Sequence, residues 1–319
     1  MSFRRDLTPL RRAHHFQAMA LVLLTVCLVA HATGPALANQ KVCRTLEQNY
    51  EQIKKSATSL ELNATLFSAA DKGCEALARR LLDDGASLEA RDRLGTRPLG
   101  RAAVAGQAEI VTLFLDRGAA IDAQNLDGST ALFQAAETGR MPIVQQLVQR
   151  GANVNLPGRK GITPLSAGAY MGSEPIVQLL IDKGVDPNVL DATQKAAIVY
   201  AVGRGFYDVT RLLLDHGVDI NARYGNDLTA LMWAAGYSDE AGVDDVAKVI
   251  ALLIESGAHI DEQDNRGRTA LMIAAELNHV AAVDLLLGSG ADKSLRDKQG
   301  KTAGDLTSLT ALREKLASR

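Results

Sequence analysis

The chain has 319 residues, with 35 Lys and Arg against 37 Asp and Glu, and 47% hydrophobic but only 4% aromatic residues. A formal charge of −2 disfavours a protein that holds nucleic acid through its bulk field. No low-complexity tail or Pro/Ser-rich linker divides the sequence, and so few aromatics suit helices packed through Ala and Leu.

In chain order, Arg4, Arg5, Arg11 and Arg12 against the single Asp6 are followed by an uncharged run from Ala18 to Ala30, then by Gly34, Pro35 and the small-residue site Ala36-Leu37-Ala38. That order predicts a secretory signal peptide over residues 1–38, cut after Ala38. The apolar run falls short of the ~20 residues of a membrane span. Ala30-His31-Ala32 is a weaker second site, and an uncleaved anchor is the bland alternative. The Arg pairs lack the hydrophobic pattern of twin-arginine export, and Cys27 lacks the small neighbours of a lipidation site. Cleavage leaves 31 bases against 36 acids, a net charge of −5. The expectation is a periplasmic or secreted protein with no stable membrane insertion after processing.

Residues 39–60 read as an N-terminal capping helix, opened by a capping box of Thr45 and Gln48 and running to about Lys55. Residues 61–319 are periodic. Gly85, Gly118, Gly151, Gly184, Gly217, Gly257 and Gly290 follow one another at 33, 33, 33, 33, 40 and 33 residues, each closing an apolar run. Fourteen residues after the first six stand Leu99, Leu132, Leu165, Ile198, Leu231 and Leu271, in phase with Leu66, whereas the seventh has Gly304 there. Within one copy, Ile110, Val111, Phe114 and Leu115 share a helical face. Leu179 stands among such packing positions.

The stretches NLDGSTALFQAA (Asn125 to Ala136), GITPL (Gly161 to Leu165) and DNRGRTALMIAA (Asp264 to Ala275), with the following Ile143 to Asn155 and Ile176 to Asn188, resemble the ankyrin repeat. The resemblance covers roughly Leu60 to Arg319. It implies an all-α solenoid of stacked helix-turn-helix repeats with β-hairpin-like finger loops, about seven copies plus a C-terminal cap. Two copies depart from the pattern: Arg97 replaces the usual Thr, and Gln194 to Ile198 reads QKAAI without turn Gly or Thr. Those two fingers are expected to be the irregular ones.

Cys43 and Cys74 remain after processing, and export would put them in an oxidising compartment. If the leading helix stacks like a half-repeat, both cysteines lie at helix starts on one edge and are expected to form a disulfide. Two buried free thiols are the alternative.

Chemistry is sparse. His216, His259 and His279 fall in different copies, no metal-ligand or nucleophile spacing appears, and no cofactor is expected. Asn63-Ala64-Thr65 forms a glycosylation sequon, relevant only to a eukaryotic secretory route. The extra seven residues of the sixth copy lie within Tyr237 to Val246 and carry Asp239, Glu240, Asp244 and Asp245. A solvated acidic loop is favoured over a Ca²⁺ site, since the spacing matches no calcium loop. The resemblance implies a non-enzymatic scaffold that binds a protein partner through the concave groove. Tyr170, Met171, Arg204 and Tyr237, with Arg159, Lys160 and Ile162 on the neighbouring finger, are the expected groove residues. Trp233 is assigned to packing. The first expectation is a monomeric, exported bacterial scaffold; a secreted effector acting on host proteins is the second. A metal protein or enzyme using the acidic insert is the third.

Overall fold

The computed structural model describes residues 34–237 and 241–317, with side chains from 39 onward. Among these residues there are α-helices, two 3-10 turns and one isolated bridge between Tyr224 and Leu228, but no strand. The expected leader lies outside the described residues, apart from the backbone of its last five.

The first of two compact units ends at Ser87. It holds α1 (Gly34–Ile53), α2 (Ser59–Lys72) and α3 (Glu75–Asp83). The capping-box reading at Thr45 needs correction. Helix α1 begins eleven residues earlier, at Gly34, with Pro35 in the first turn where its missing N–H leaves no bond unmade. Thr45 therefore sits mid-helix, its hydroxyl donating to the Lys41 carbonyl at 3.1 Å. The true capping box is Thr58 with Glu61, which starts α2. Cys43 is accordingly inside α1, while Cys74 is the residue preceding α3. Their Cα atoms are 5.2 Å apart, within disulfide distance. Buried Tyr50 on α1 donates its hydroxyl to Asp84 at the end of α3, at 2.5 Å, and Lys54 pairs with the same carboxylate at 2.9 Å. Burial first, then the contact with Asp84, pushes the Tyr50 phenol up to about 12.

The second unit, from Leu88 on, repeats one motif. Its helix pairs are α4 and α5 (Pro98–Ala105, Ala108–Asp116), α6 and α7 (Ala131–Glu137, Met141–Gln149), α8 and α9 (Pro164–Tyr170, Glu174–Asp182), and α10 and α11 (Ala197–Val202, Tyr207–Asp215). They continue as α12 and α13 (Ala230–Ala235, Val243–Glu255), α14 and α15 (Ala270–Glu276, Val280–Gly288), and a short closing pair α16 and α17 (Ala303–Leu306, Thr310–Ala317). The first helices of successive pairs pack on one another as one layer and the second helices of the first six pairs as another. The in-phase aliphatics Leu99, Leu132, Leu165, Ile198, Leu231 and Leu271 are all buried between them. Small residues let the first layer close up: Ala102, Ala135, Ala169, Ala201, Ala234 and Ala275 are wholly inaccessible. In α9 the fully buried packing leucine is Leu180, not Leu179, which is half-buried.

The repeated motif has a mechanical reading. In the finger before α4, Asp92 Oδ1 accepts from the backbone of Leu94 (2.8 Å) and Thr96 (2.9 Å), fixing a turn. The same carboxylate or amide grip recurs at Asn125, Asp191, Asp264 and Asp297. The threonine that follows is an N-cap: Thr130, Thr163, Thr229 and Thr269 each accept the backbone N–H three residues on. At Gly184, φ of 80° closes α9 in the left-handed region, and the six other period glycines share the sign. Gly172 is needed for space as well, because a Cβ there would meet the Phe206 ring at 2.7 Å.

The irregular fingers are not the two expected. Arg97 and Ala196 do lack a side-chain cap, yet their fingers keep the regular Asp turn, with Gln194 taking the glycine's left-handed conformation at φ 60°. The departures fall where the gripping Asp or Asn is missing. At Gly158 and Tyr224 the chain instead makes the 3-10 turns Arg159–Gly161 and Gly225–Asp227. Gly158 is forced by crowding, since a Cβ there would lie 2.6 Å from the Phe133 ring.

Candidate functional site

Where fingers meet the first-helix layer, a cleft of about 270 Å³ opens across three copies. Glu137 at the end of α6, Arg159, Lys160 and Ile162 on the 3-10 finger, Ala167 and Tyr170 on α8, Thr193 and Lys195 on the next finger, and Tyr200 on α10 line it. Tyr170 is 42% exposed and stands edge-on to Tyr200, ring centroids 6.1 Å apart at 84°. Tyr200 is anchored from behind. Its hydroxyl donates to Oδ2 of Asp191, which is 4% exposed, while Oδ1 accepts from Thr193 N (2.6 Å), Thr193 Oγ1 (2.7 Å) and Lys195 N (3.2 Å). Burial works to raise the Asp191 carboxyl, but these hydrogen bonds, Tyr200's first, outweigh it and hold the group below the usual carboxylate range. Tyr200 is pushed well up, by burial and by its bond to Asp191. Both groups thus keep their ordinary charge state near neutrality.

The charges at the mouth are unequal. Arg159 spends its guanidinium on Glu137 at 2.6 Å. Lys195 holds its ammonium 4.7 Å over the Trp233 ring and 5.8 Å from that of Tyr200, and Lys160 rides the finger tip in the left-handed conformation at φ 56°. Among the described residues neither lysine has a carboxylate partner.

Of the residues expected from sequence, Arg159, Lys160, Ile162 and Tyr170 come together in this cleft. Three do not line it. Met171 is exposed, with its methyl turned to Gly139 of the preceding copy. Arg204 packs on Tyr170, its guanidinium carbon 4.5 Å from that ring centroid and 5.4 Å from that of Phe206, so it braces the aromatic. Tyr237 stacks on His279 at 3.8 Å, away from Tyr170, and His279 Nδ1 donates to the Ala235 carbonyl at 2.9 Å.

Tyr200 and Lys195 are residues that sequence reasoning passed over. A signal was present: Tyr200 and Trp233 stand two places after Ile198 and Leu231, in the lattice column that also supplies Ala167 to the cleft. Trp233 is only partly a packing residue. It is half-buried, its ring carries Lys195, and its buried Nε1 has no acceptor among the described residues.

The acidic insert is less of a loop than its sequence suggests. Helix α13 begins at Val243, so Asp244 and Asp245 occupy its first turn, where the helix dipole favours carboxylates, and Asp245 pairs with Lys248 at 3.0 Å. Asp239 and Glu240 lie outside the described residues. Among the described residues no group of three or more His, Cys, Asp or Glu side chains is arranged to hold a metal ion, and no helix is long and apolar enough to cross a membrane.

A family model described as ankyrin repeats (3 copies) matches residues 99–191, 169–244 and 199–297, and a second, ankyrin repeats (many copies), matches 66–115. Among curated relatives, ankyrin repeat domain-containing protein 63 of Homo sapiens is 41% identical over 56 residues, and its Mus musculus counterpart 39% over 56. Each match takes in 18% of this chain and only 15% or 14% of the relative, so these likenesses concern the repeat and not a whole protein. Such repeats support a protein-binding role. Since the family models together run from residue 66 to residue 297, the chain belongs to the ankyrin-repeat family.

Proposed function

We propose that this chain is a non-enzymatic, monomeric scaffold of the exported bacterial kind, which captures a partner polypeptide in the periplasm or outside the cell. The observation that carries the binding reading is the cleft between Tyr170 and Tyr200. An exposed aromatic stands there on a rigid backing of Tyr200, Asp191 and Arg204, the arrangement from which binding hot spots are made. The order of basic, apolar and small-residue segments before Ala38 supports export, and so does the 5.2 Å approach of Cys43 and Cys74, which an oxidising compartment would convert to a bond.

A photoactivatable phenylalanine analogue at position 170 tests the binding site in intact cells. The expected result is a crosslink to one discrete protein, absent when the same probe replaces exposed Leu126 on a different finger. Equal labelling from both positions would count against the cleft. Cell fractionation with N-terminal sequencing tests the compartment, with Asn39 as the expected first residue of the exported form.

A further inference from the structure

We infer that the cleft selects an acidic segment of its partner, a carboxylate next to an apolar side chain, seated between Lys160, Lys195 and the Tyr170 ring. This rests on the reading of the cleft as the docking site. Charge complementarity selects that occupant. The chain as a whole is acidic, yet this recess is not: among its described lining residues Glu137 alone is a carboxylate and it is taken by Arg159, while Asp191, which holds the Tyr200 hydroxyl, is buried with four donors upon it. Among the described residues, the two ammoniums at the rim have no carboxylate partner. The Trp233 and Tyr200 faces stabilise the Lys195 cation without neutralising it. A basic segment docking here meets like charge, and a neutral one strips water from two cations while giving nothing back. A carboxylate does the opposite, forming charge-assisted hydrogen bonds as it enters. Beside the lysines, Ile162, Ala167 and the Tyr170 ring supply an apolar wall for the neighbouring side chain. The cavity, about 270 Å³, lies below the ~300 to 1,000 Å³ that drug-sized ligands fill, so it suits one or two side chains of a peptide.

The test is selection of the full chain against a displayed library of short random peptides, followed by affinity measurement on the winners and their Glu→Gln or Asp→Asn analogues. Enriched peptides should carry an acid adjacent to an apolar residue, and their amide analogues should bind about tenfold more weakly. Lys195→Met combined with Lys160→Asn should cost a similar factor, and raising salt to about 0.5 M should weaken the parent peptide but not the amide analogue. The peptide-side change leaves the protein untouched, so a folding defect in the lysine variant cannot imitate it. Peptides that depend on Tyr170, shown by Tyr170→Ala, yet are indifferent to the acid-to-amide change would overturn the acidic preference and leave the cleft standing. No enrichment at all, or winners that ignore Tyr170→Ala, would overturn both.

Discussion

Tyr200 on α10 donates its hydroxyl to Asp191, the carboxylate that grips the finger preceding the same helix. The Asp191 turn keeps the finger of the copy with the poorest family pattern regular, and this contact backs it. Gln194 to Ile198 has neither the turn glycine nor the capping threonine, and Ala196 offers α10 no side-chain cap. The tyrosine ties helix and finger together from the other side, and in doing so presents one wall of the cleft.

Tyr200→Phe should therefore loosen the finger before it affects the helix. The substitution leaves one oxygen of a buried carboxylate without its donor, at a cost of roughly 1.5 to 3 kcal/mol. Hydrogen exchange should accelerate at the amides of Thr193 and Lys195, with a smaller change in α10. Unaltered exchange there would show that the Asp191 turn stands without Tyr200.

Asp264 offers a test of acid sensitivity. It is buried and accepts from Arg268 Nε (3.0 Å) and a terminal guanidinium nitrogen (2.8 Å), as well as from the backbone of Arg266 and Arg268. Burial raises its carboxyl, but these bonds prevail and hold it below the usual range. A depressed folded value stabilises the fold above the unfolded pKa of about 3.9, and that contribution fades as pH falls through the folded value. Asp264→Asn should cost roughly 3 kcal/mol at neutral pH by leaving Arg268 with one partner fewer. The gap between variant and parent, measured by urea unfolding, should narrow below about pH 4. A gap independent of pH would remove the charge from the account.

Much of this fold was legible because the lattice repeats. The period glycines, the in-phase aliphatics and the small residues of the first helices each have one physical job, so seven copies state it seven times. What a single copy does differently was harder to read. Arg97 and Gln194 broke the family pattern in sequence but not in shape, whereas Gly158 and Tyr224, the residues that lack the gripping carboxylate, are where the fingers depart. Thr45 and Gln48 matched a capping box although the helix had already begun at Gly34, because a local pattern carries no information about the turns before it. For the cleft, Tyr170 came from one lattice position and Arg159, Lys160 and Ile162 from the finger beside it, while Tyr200 and Lys195 belong to columns that repeat-based reasoning assigns to packing or turns.

Cys43 and Cys74 should matter to the first unit in particular. In the chain-entropy model a bond closing this separation of 31 residues stabilises the fold by about 3 to 4 kcal/mol. Cys74→Ser, or reduction of the parent, should lower the unfolding midpoint of the segment up to Ser87, read by exchange at α2 and α3, with far less effect on α12 to α15 since coupling in a repeat array runs between neighbours. Mass mapping of non-reduced protein should find the two peptides linked. Quantitative thiol labelling of both cysteines in exported protein would refute the bond.

Leu180 and Tyr170 separate scaffold from site. Leu180 is wholly buried on α9, and Leu180→Ala should cost roughly 2 to 5 kcal/mol through the cavity it leaves. Tyr170 is exposed and lines the cleft together with Tyr200, whose ring it meets edge-on, while the Arg204 guanidinium lies 4.5 Å from its ring centroid. Tyr170→Ala should leave helical content and unfolding midpoint nearly unchanged while weakening a bound partner by about thirtyfold, the effect of losing a ~2 kcal/mol hot spot. Arg204 supplies the finer distinction. As a brace on the Tyr170 ring it acts through the ring's position, so Arg204→Met, which keeps the stem and loses the charge, should weaken binding less than Tyr170→Ala and in a salt-independent way. A strong salt dependence conferred by Arg204 would instead make it a direct partner contact, and would extend the site beyond the cleft toward α11.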